Sequence, residues 1–117
     1  MPEETKTSDG FVVFIGKNNK QNDFLTCKMA HGNDLWFHTK DIHGSHVVMR
    51  FENDREFTDS AIVEAAQFAA FYSKAKNSDN VPVDYAKIKF VKKPSGAKPG
   101  YVIYTNNRTV YVTPKEK

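Results

Sequence analysis

The alternation of apolar and polar side chains predicts a sheet that is mostly antiparallel. Phe11–Ile15 is a short apolar, β-branched run, which is typical of a buried strand. On a strand, Leu35, Phe37 and Thr39 would point to one side and Trp36, His38 and Lys40 to the other. Val47 and Met49 alternate in the same way with His46, Val48 and Arg50. Between them Asp41–Gly44 has turn chemistry, because Asp bonds nearby backbone groups and Gly accepts positive φ. The pattern therefore predicts a β-hairpin with its turn at Asp41–Gly44.

Two helices are predicted from the remaining periodicity. Asn22 can cap a short helix that ends at His31-Gly32, with Asp23 in its first turn opposing the positive end of the helix dipole. A long helix starts with a cap at Thr58 or Asp59 and runs to about Lys76. Its apolar stripe is rich in small alanine side chains, so this helix can lie close against a sheet. The stripe comprises Ile62, Ala65, Ala66, Ala69 and Tyr72.

The last third of the chain predicts more strands and one basic loop. Ile88–Val91 alternates apolar with basic residues and indicates a short strand. Lys92–Gly100 is a basic loop with two Pro and two Gly residues. Tyr101–Tyr104 and Thr109–Val112 flank an Asn-rich turn, which predicts a second hairpin. The predicted fold is α+β: a single compact domain, mostly antiparallel sheet, with one long Ala-rich helix and one short helix packed on it.

A chain of 117 residues forms one domain and can bury a core without disulfides. Residues 1–9 are acidic and polar and predict a linker or tail, residues 10–114 the folded domain, and residues 115–117 a basic tail. No apolar run is long enough to insert into a membrane, and the N-terminus does not resemble a signal peptide. Cys27, the single cysteine, is expected inside the core. These features favour a cytoplasmic location.

The charge distribution is more informative than the net charge of +3. From Val81 onward the only acids are Asp84 and Glu116, against a larger set of basic residues. A basic face favours an anionic partner, nucleic acid first, although a solvated surface has the same composition. The basic residues of this part are Lys87, Lys89, Lys92, Lys93, Lys98, Arg108, Lys115 and Lys117.

The first hairpin carries the only tryptophan of the chain. Trp36 falls on the polar side of its strand, where the ring could stack on a base, and it could equally pack into the core. Next to it His38, Lys40, His46 and Arg50 could reach phosphates or base edges. A further candidate is the cationic Asn-rich loop Lys17–Asn22, which predicts either an anion cradle or a capped surface turn.

The sequence indicates binding and not catalysis. His38, His43 and His46 resemble a set of metal ligands, with Asp41 or His31 as a fourth, but strand alternation directs His38 away from the turn residues. Adjacent strand residues face opposite sides, so Ser45 and His46 do not form a catalytic pair. We therefore expect no enzyme activity, no metal and no cofactor.

Several separated motifs, in the right order, resemble the NFACT-R domain. That domain is the RNA-binding C-terminal module of the NFACT family, which includes bacterial RqcH and its eukaryotic ribosome quality control relatives. The resemblance covers roughly Asp9 to Pro114, so residues 10–114 are predicted to be an NFACT-R-like RNA-binding domain. Where the family usually has Pro before the Gly of the turn, this chain has His43, which makes the turn less rigid. The matching motifs include Gly16–Asp23, Asp34–His38, Gly44–Val48, Val83–Tyr85, Val91–Pro94 and Gly96–Gly100.

The resemblance implies a module of a longer protein, with an N-terminal domain and a coiled coil before it. The implied function is RNA binding within an RqcH-like ribosome quality control factor. Such a factor binds the obstructed large ribosomal subunit and tRNA during C-terminal tailing of stalled nascent chains. This chain alone would not perform tailing, and the implied partners are large-subunit RNA and tRNA.

Two alternatives stay open at this point. Gram-positive members of the family are often named fibronectin-binding proteins, which would make this chain a fibronectin/fibrinogen-binding adhesin module. Its partner would then be host fibronectin, and its place the cell surface, reached without a signal peptide. The other alternative is a structural domain that docks on the rest of its own chain.

The resemblance also implies which residues contact RNA. By match to the motifs these are Lys17, Asn18, Asn19, Asn22, Asp23, Trp36, His38, Lys40, Asp41, Gly44, Ser45 and His46. Arg50, Lys92, Lys93 and Lys98 are added because of their charge.

Overall fold

A computed structural model describes all residues, 1–117. It has eight strands and two α-helices. In chain order the elements are β1 (Glu3–Lys6), β2 (Val12–Ile15), α1 (Asn19–Phe24), a π-helical turn (Leu25–Met29), β3 (Leu35–Thr39), β4 (Val47–Met49), α2 (Asp59–Phe71), β5 (Val81–Lys87), a 3₁₀ turn (Ile88–Phe90), β6 (Val91–Lys92), β7 (Ile103–Tyr104) and β8 (Arg108–Val112).

Six of the strands form one antiparallel sheet in the order β1-β2-β4-β3-β5-β8, and β6 pairs with β7 in a separate ribbon. The predicted first hairpin is confirmed: Leu35 pairs with Met49, and Phe37 pairs with Val47. The α+β class and the mostly antiparallel sheet are confirmed as well.

Both faces of this sheet are covered. On one face Leu35, Phe37, Val47 and Met49 join the alanines of α2 in the main core of 16 buried residues. A smaller core lies on the other face, under the π-helical turn and the β6–β7 region. It is built from Phe14, Leu25, Trp36 and Val48. Because both faces are buried, alternate side chains of β3 enter two different cores, and neither set faces solvent.

The turn between β3 and β4 has the predicted location and a different geometry. The residue with positive φ is Asp41 at 54°, whereas Gly44 has no left-handed backbone. Gly44 is required for space, because a Cβ there would lie 2.7 Å from the Cβ of Ser73. The backbone of Ser45 donates a hydrogen bond to the Tyr72 carbonyl at 2.9 Å. The end of α2 therefore braces the turn from behind.

The predicted bounds of the helices are wrong in two places. Helix α1 begins at an Asn18 cap, whose side chain accepts the N–H of Gln21 at 2.9 Å, and Asn22 lies buried within the helix. Asp23 is consequently near the end of α1 and not in its first turn. Thr58 caps α2 as predicted, but α2 ends at Phe71, well before Lys76.

Two predictions for the last third are also wrong. The strand expected at Ile88–Val91 lies earlier, as β5 (Val81–Lys87), because Val81 and Val83 enter the main core. The second predicted hairpin does not form. Its two strands, β7 and β8, pair with β6 and β5 respectively and not with each other.

Residues 1–9 are not a linker, because Glu3–Lys6 forms the edge strand β1 paired with β2. At the other end, residues 115–117 have no regular structure. Their side chains nevertheless contact the domain. The ammonium of Lys117 lies 2.8 Å from a carboxylate oxygen of Glu3, and that of Lys115 lies 3.1 Å from Glu64. No helix of the fold has the length and apolar character that crossing a membrane requires.

Candidate nucleic-acid interface

Two grooves flank the turn 41–45, and His43 lines both of them. The first groove, with a volume of about 290 Å³, lies between this turn, the start of α1 and the end of α2. The second groove, about 380 Å³, lies between the turn and the segment 100–104. The turn is therefore a ridge with a cavity on each side.

The first groove is mainly polar. Lys17, Asn18 and Asn19 line it from the start of α1, and Lys74 lines it from the opposite side. The ammonium of Lys17 sits 5.0 Å from the ring centroid of Tyr72 and also pairs with Glu3. Exposed amides and ammonium groups of this kind suit the oxygen atoms of phosphate and ribose.

The second groove has an aromatic floor. The ring of Trp36 stacks parallel to that of His38 at 5.8 Å, meets His46 edge-on at 5.4 Å, and tilts against Tyr104 at 4.7 Å. The hydroxyl of Tyr104 donates to the buried carboxylate of Asp84 at 2.6 Å. Burial and this hydrogen bond raise the pKa of Tyr104, so its hydroxyl stays protonated.

His46 connects three parts of the structure. Its backbone N–H donates to the side-chain oxygen of Asn22 at 3.0 Å, and its carbonyl accepts the N–H of Gly16 at 3.0 Å. Its ring Nδ1 lies 2.7 Å from the Thr26 hydroxyl and accepts the indole N–H of Trp36 at 3.3 Å. An indole N–H can only donate, so Nδ1 is unprotonated and the neutral ring carries its proton on Nε2.

Burial keeps both histidines of the floor neutral. Desolvation, helped by the nearby His38, lowers the pKa of His46 to about 3. Desolvation also lowers the pKa of His38. Near neutral pH the floor of the second groove therefore carries no positive charge, and cations must come from its surroundings.

The basic loop 92–100 is attached to α1 next to the second groove. The carboxylate of Asp23 accepts the Lys93 ammonium at 2.6 Å and the Gly100 N–H at 3.0 Å. These two hydrogen bonds, the one from Lys93 first, hold the pKa of Asp23 below its usual value. The loop that charge alone suggested as a binding element is thus fixed beside the hairpin.

The predicted contact residues divide by exposure. Exposed residues, free to meet a ligand, are Lys17, Asn18, Asn19, Lys40, Asp41, Lys92 and Lys98. Half-buried ones are Asp23, His38, Gly44, Arg50 and Lys93, and buried ones are Asn22, Trp36, Ser45 and His46. Only part of the predicted set can therefore contact RNA directly.

The predicted stacking of Trp36 on a base is wrong, because its side chain is 1% exposed. Packing, the other interpretation, is correct: the ring supports the floor of the second groove. Asn22 and His46, 5% and 3% exposed, likewise build the site from beneath. The guanidinium of Arg50 lies 4.7 Å from the Phe14 ring centroid, and Arg50 lines neither groove.

Two further expectations are wrong. Strand alternation was expected to separate His38 from the turn residues, yet the rings of His38 and His46 meet edge-on at 5.5 Å. The hairpin pairs Trp36 with Val48 and Phe37 with Val47, so the same register places His38 opposite His46 on one face of the sheet. Cys27, expected in the core, is exposed on the π-helical turn.

Some residues of the site were missed by sequence reasoning. Tyr101 lines the second groove with 58% of its surface exposed, and Lys74 lines the first. The sequence pattern places Tyr101 at the start of a strand, where nothing distinguishes it from a packed aromatic residue. Its position directly after the Lys-Pro-Gly end of the basic loop is the signal that could have identified it.

Several known proteins are similar to this chain in sequence. Residues 1–106 match the family described as "NFACT protein RNA binding domain". The "Rqc2 homolog RqcH" of Bacillus subtilis (strain 168) is 54% identical over 112 residues, which are 96% of this chain and 19% of that protein. The protein of the same name from Streptococcus suis (strain 05ZYH33) is 47% identical over 116 residues, 98% of this chain and 21% of that protein.

A solved structure is similar as well. It is the C-terminal part of the fibronectin/fibrinogen-binding protein from Streptococcus suis, with a TM-score of 0.91 and 46% sequence identity. The similarity covers 98% of this chain and 46% of that chain. The chain thus spans about a fifth of the length of the curated relatives it matches.

Proposed function

The chain belongs to the NFACT RNA-binding domain family, and from this we propose that it is the RNA-binding module of an RqcH-like ribosome quality control factor. In this role it binds RNA of the obstructed large ribosomal subunit and tRNA while stalled nascent chains receive C-terminal tails. The proposal assigns to this module a part in holding the RNA and places it in the cytoplasm, where translating ribosomes are.

The observation that supports RNA binding most is the pair of grooves around the turn 41–45, with exposed lysines at their edges. Lys17 and Lys74 line the first groove. Lys40 precedes the turn, and Lys98 belongs to the loop attached beside the second groove. Lysines that line the first groove, together with those on the segments beside the second, suit the evenly spaced phosphates of a nucleic acid backbone.

We further propose that the module has no catalytic activity of its own. The polar cluster that most resembles a catalytic arrangement is His46 with Thr26 and Trp36. In it, Nδ1 of His46 already accepts hydrogen bonds and Nε2 carries the proton. The neutral ring therefore has no free lone pair for use as a general base. Tailing would then require other parts of a longer protein and the ribosome.

Salt dependence tests the proposal, because lysines that bind phosphates release counterions. Binding of the chain to tRNA and to large ribosomal subunits should weaken steeply as salt rises, by a slope of roughly 0.7–0.9 per phosphate contact on a logarithmic plot. Replacing Lys17 and Lys74 together by Gln should lower affinity for both RNAs and reduce the slope by about 1–2. Fluorescence anisotropy across a salt series measures this.

The matched control is Lys87→Gln combined with Lys89→Gln, since both residues lie outside the two grooves. These changes remove the same charge, so the control pair should retain most of the affinity. Equal losses of affinity in both double variants would mean that RNA binding depends only on the net charge of the chain. Absence of binding to either RNA even at low salt would contradict the proposed function.

A second candidate function comes from the name of the Streptococcus suis structural relative, a fibronectin/fibrinogen-binding protein. As an adhesin module, the chain would bind host fibronectin at the cell surface. Such an interaction should be insensitive to salt and unaffected by the Lys17 and Lys74 changes. Binding to immobilised fibronectin, measured with the same variants, distinguishes the two functions.

A further inference from the structure

We propose that the second groove accepts a single unstacked nucleobase, which stacks on Tyr101 and is read by the carboxylate of Asp41, with guanine preferred. The inference rests on the proposed RNA-binding function and names the part of the RNA that this groove takes. The groove volume of about 380 Å³ falls in the range of roughly 300–1,000 Å³ found for small-molecule sites.

The lining of the groove suits a base and not a phosphate. Its floor is aromatic, and Ile42 and Val102 add apolar surface. Asp41 supplies the only carboxylate among its lining residues and no lysine or arginine lines it, while burial lowers the pKa values of His38 and His46 and keeps these two rings neutral. A phosphate beside this carboxylate would be repelled, whereas a flat, partly polar base would not.

Tyr101 is the exposed aromatic residue of the groove. Its side chain is 58% exposed, while Trp36 below it is 1% exposed, so the phenol ring is not needed to fill a core. Its backbone is nevertheless held: its N–H donates to the Lys98 carbonyl at 3.0 Å, and the preceding Gly100 is bonded to Asp23. An exposed ring on a fixed backbone loses little entropy when a base stacks on it.

Asp41 is placed at the edge of the groove by an unusual backbone. Its φ of 54° lies in the left-handed region, which Asp adopts in turns more readily than most residues with a side chain. The neighbouring backbone is fixed, since Lys40 N–H donates to the Pro82 carbonyl at 2.9 Å and Thr39 donates to the Ile42 carbonyl at 2.8 Å. The turn thus holds an exposed carboxylate beside the aromatic floor.

The chemistry of a carboxylate predicts which base it selects. An ionised carboxylate only accepts hydrogen bonds, through two oxygens. Guanine presents two adjacent donors, the ring N1–H and the exocyclic amino group, and can meet both oxygens. Adenine and cytosine offer one amino group next to an acceptor nitrogen, and uracil offers one imino group between two carbonyls. Asp41 should therefore prefer guanine, read on its Watson–Crick edge.

Short oligouridine RNAs that carry one central G, A, C or U test the proposal by fluorescence anisotropy. The unaltered chain should bind the G-containing RNA about 5- to 150-fold more tightly than the all-U RNA, the range of one good bidentate base contact. Tyr101→Ala should weaken binding of the G-containing RNA by about 5- to 150-fold, the range for a lost stacking partner. Asp41→Asn should remove the preference for G.

Controls keep the experiment decisive. Tyr111 is 63% exposed, lies on β8 and lines neither groove, so Tyr111→Ala should bind like the unaltered chain. Asn accepts the left-handed backbone of position 41, and Tyr101 is exposed, so both test variants should fold normally by circular dichroism.

The outcomes separate this inference from the proposed function. If the chain binds RNA through its lysines but binds all four RNAs equally, or if Tyr101→Ala has no more effect than Tyr111→Ala, the base pocket is wrong and RNA binding stands. If Asp41→Asn keeps the full preference for G, reading by the carboxylate is wrong. If the chain binds none of the RNAs, tRNA or large subunits at low salt, the proposed function fails and the pocket with it.

Discussion

At the scale of single residues, the conspicuous side chains of the hairpin support the site from within. Trp36 and His46 attract notice in the sequence as groups that bind ligands, yet each is almost fully buried and hydrogen bonded to the other. Residues above them, Asp41 and Tyr101, have the exposed surface. Burial is decided by which segments cross over the strand, and residue type does not reveal it.

Replacing Trp36 should therefore affect stability before it affects binding. Trp36→Ala removes a large buried ring and one hydrogen bond to His46, and we expect a loss of about 3–5 kcal/mol in the free energy of unfolding. Trp36→Phe should lose less and still bind RNA, since it keeps an aromatic floor. Urea unfolding and RNA titration of both variants check this. Normal stability of Trp36→Ala with lost RNA binding would indicate direct contact after all.

The buried ring of His46 makes stability dependent on pH. Its pKa is about 3 in the folded chain, against about 6.5 when unfolded, so the unfolded state binds more protons as the pH falls below about 6.5. The free energy of unfolding should then decrease with a slope that approaches about 1.4 kcal/mol per pH unit, a loss of about 1 to 2 kcal/mol between pH 6.5 and 5. The burial of His38 acts in the same direction.

Urea unfolding at several pH values above 5 isolates this effect, because carboxylates are still mostly ionised there. His46→Gln removes the buried imidazole and should flatten the slope. If His46→Gln does not fold, NMR of the unaltered chain gives the answer. A His46 ring that takes up a proton above about pH 5 would contradict the prediction.

At the scale of elements, the site depends on the attachment of the basic loop to α1. The loop 92–100 has no regular structure, apart from β6 at its start, and Asp23 bonds both Lys93 and Gly100. Of these two partners of Asp23, Gly100 directly precedes Tyr101 in the chain. Helix α1 therefore positions the second groove although it does not line it.

Removing this attachment should increase the mobility of the loop and have only a small effect on the global stability of the domain. For Asp23→Ala we expect at most about 1 kcal/mol of lost global stability, because the pair is partly exposed. Hydrogen exchange at Gly100 and Tyr101 should be several-fold faster, and RNA binding weaker, since the loop loses its preorganisation. Lys115→Met breaks a similar ion pair with Glu64, away from this loop, and should change neither property. Unchanged exchange in Asp23→Ala would contradict the role of the attachment.

Among the elements, the sequence predicts those whose position depends on neighbouring residues in the chain. The β2 and β3–β4 strands and the Thr58 cap of α2 are found where alternation and capping rules place them. The pairing of β8 with β5 is not predictable in this way, because the Asn-rich turn suggests a local hairpin while a longer connection buries Val112 in the main core. The edge strand β1 is missed because its polar residues resemble a tail.

At the scale of the whole molecule, a sheet covered on both faces leaves the ends of its strands and their connections for binding. Both grooves lie there, beside the turn from β3 to β4. Sequence motifs identified this turn and the basic loop, but the grooves exist only once α1, the end of α2 and the segment 100–104 meet around it. Residues far apart in the chain build them, and so the cavities, unlike the turn, were not predictable.

The ion pairs of Glu3 have a practical consequence. Glu3 holds both Lys17, at the edge of the first groove, and Lys117, the last residue, so both termini of the chain lie close to that groove. A purification tag or dye fused to either terminus would crowd the surface under test. Cys27, the single thiol, is exposed and lines neither groove, so a fluorophore attached there leaves both termini free. Because partial burial raises the pKa of this thiol, labelling should proceed faster in mildly alkaline buffer.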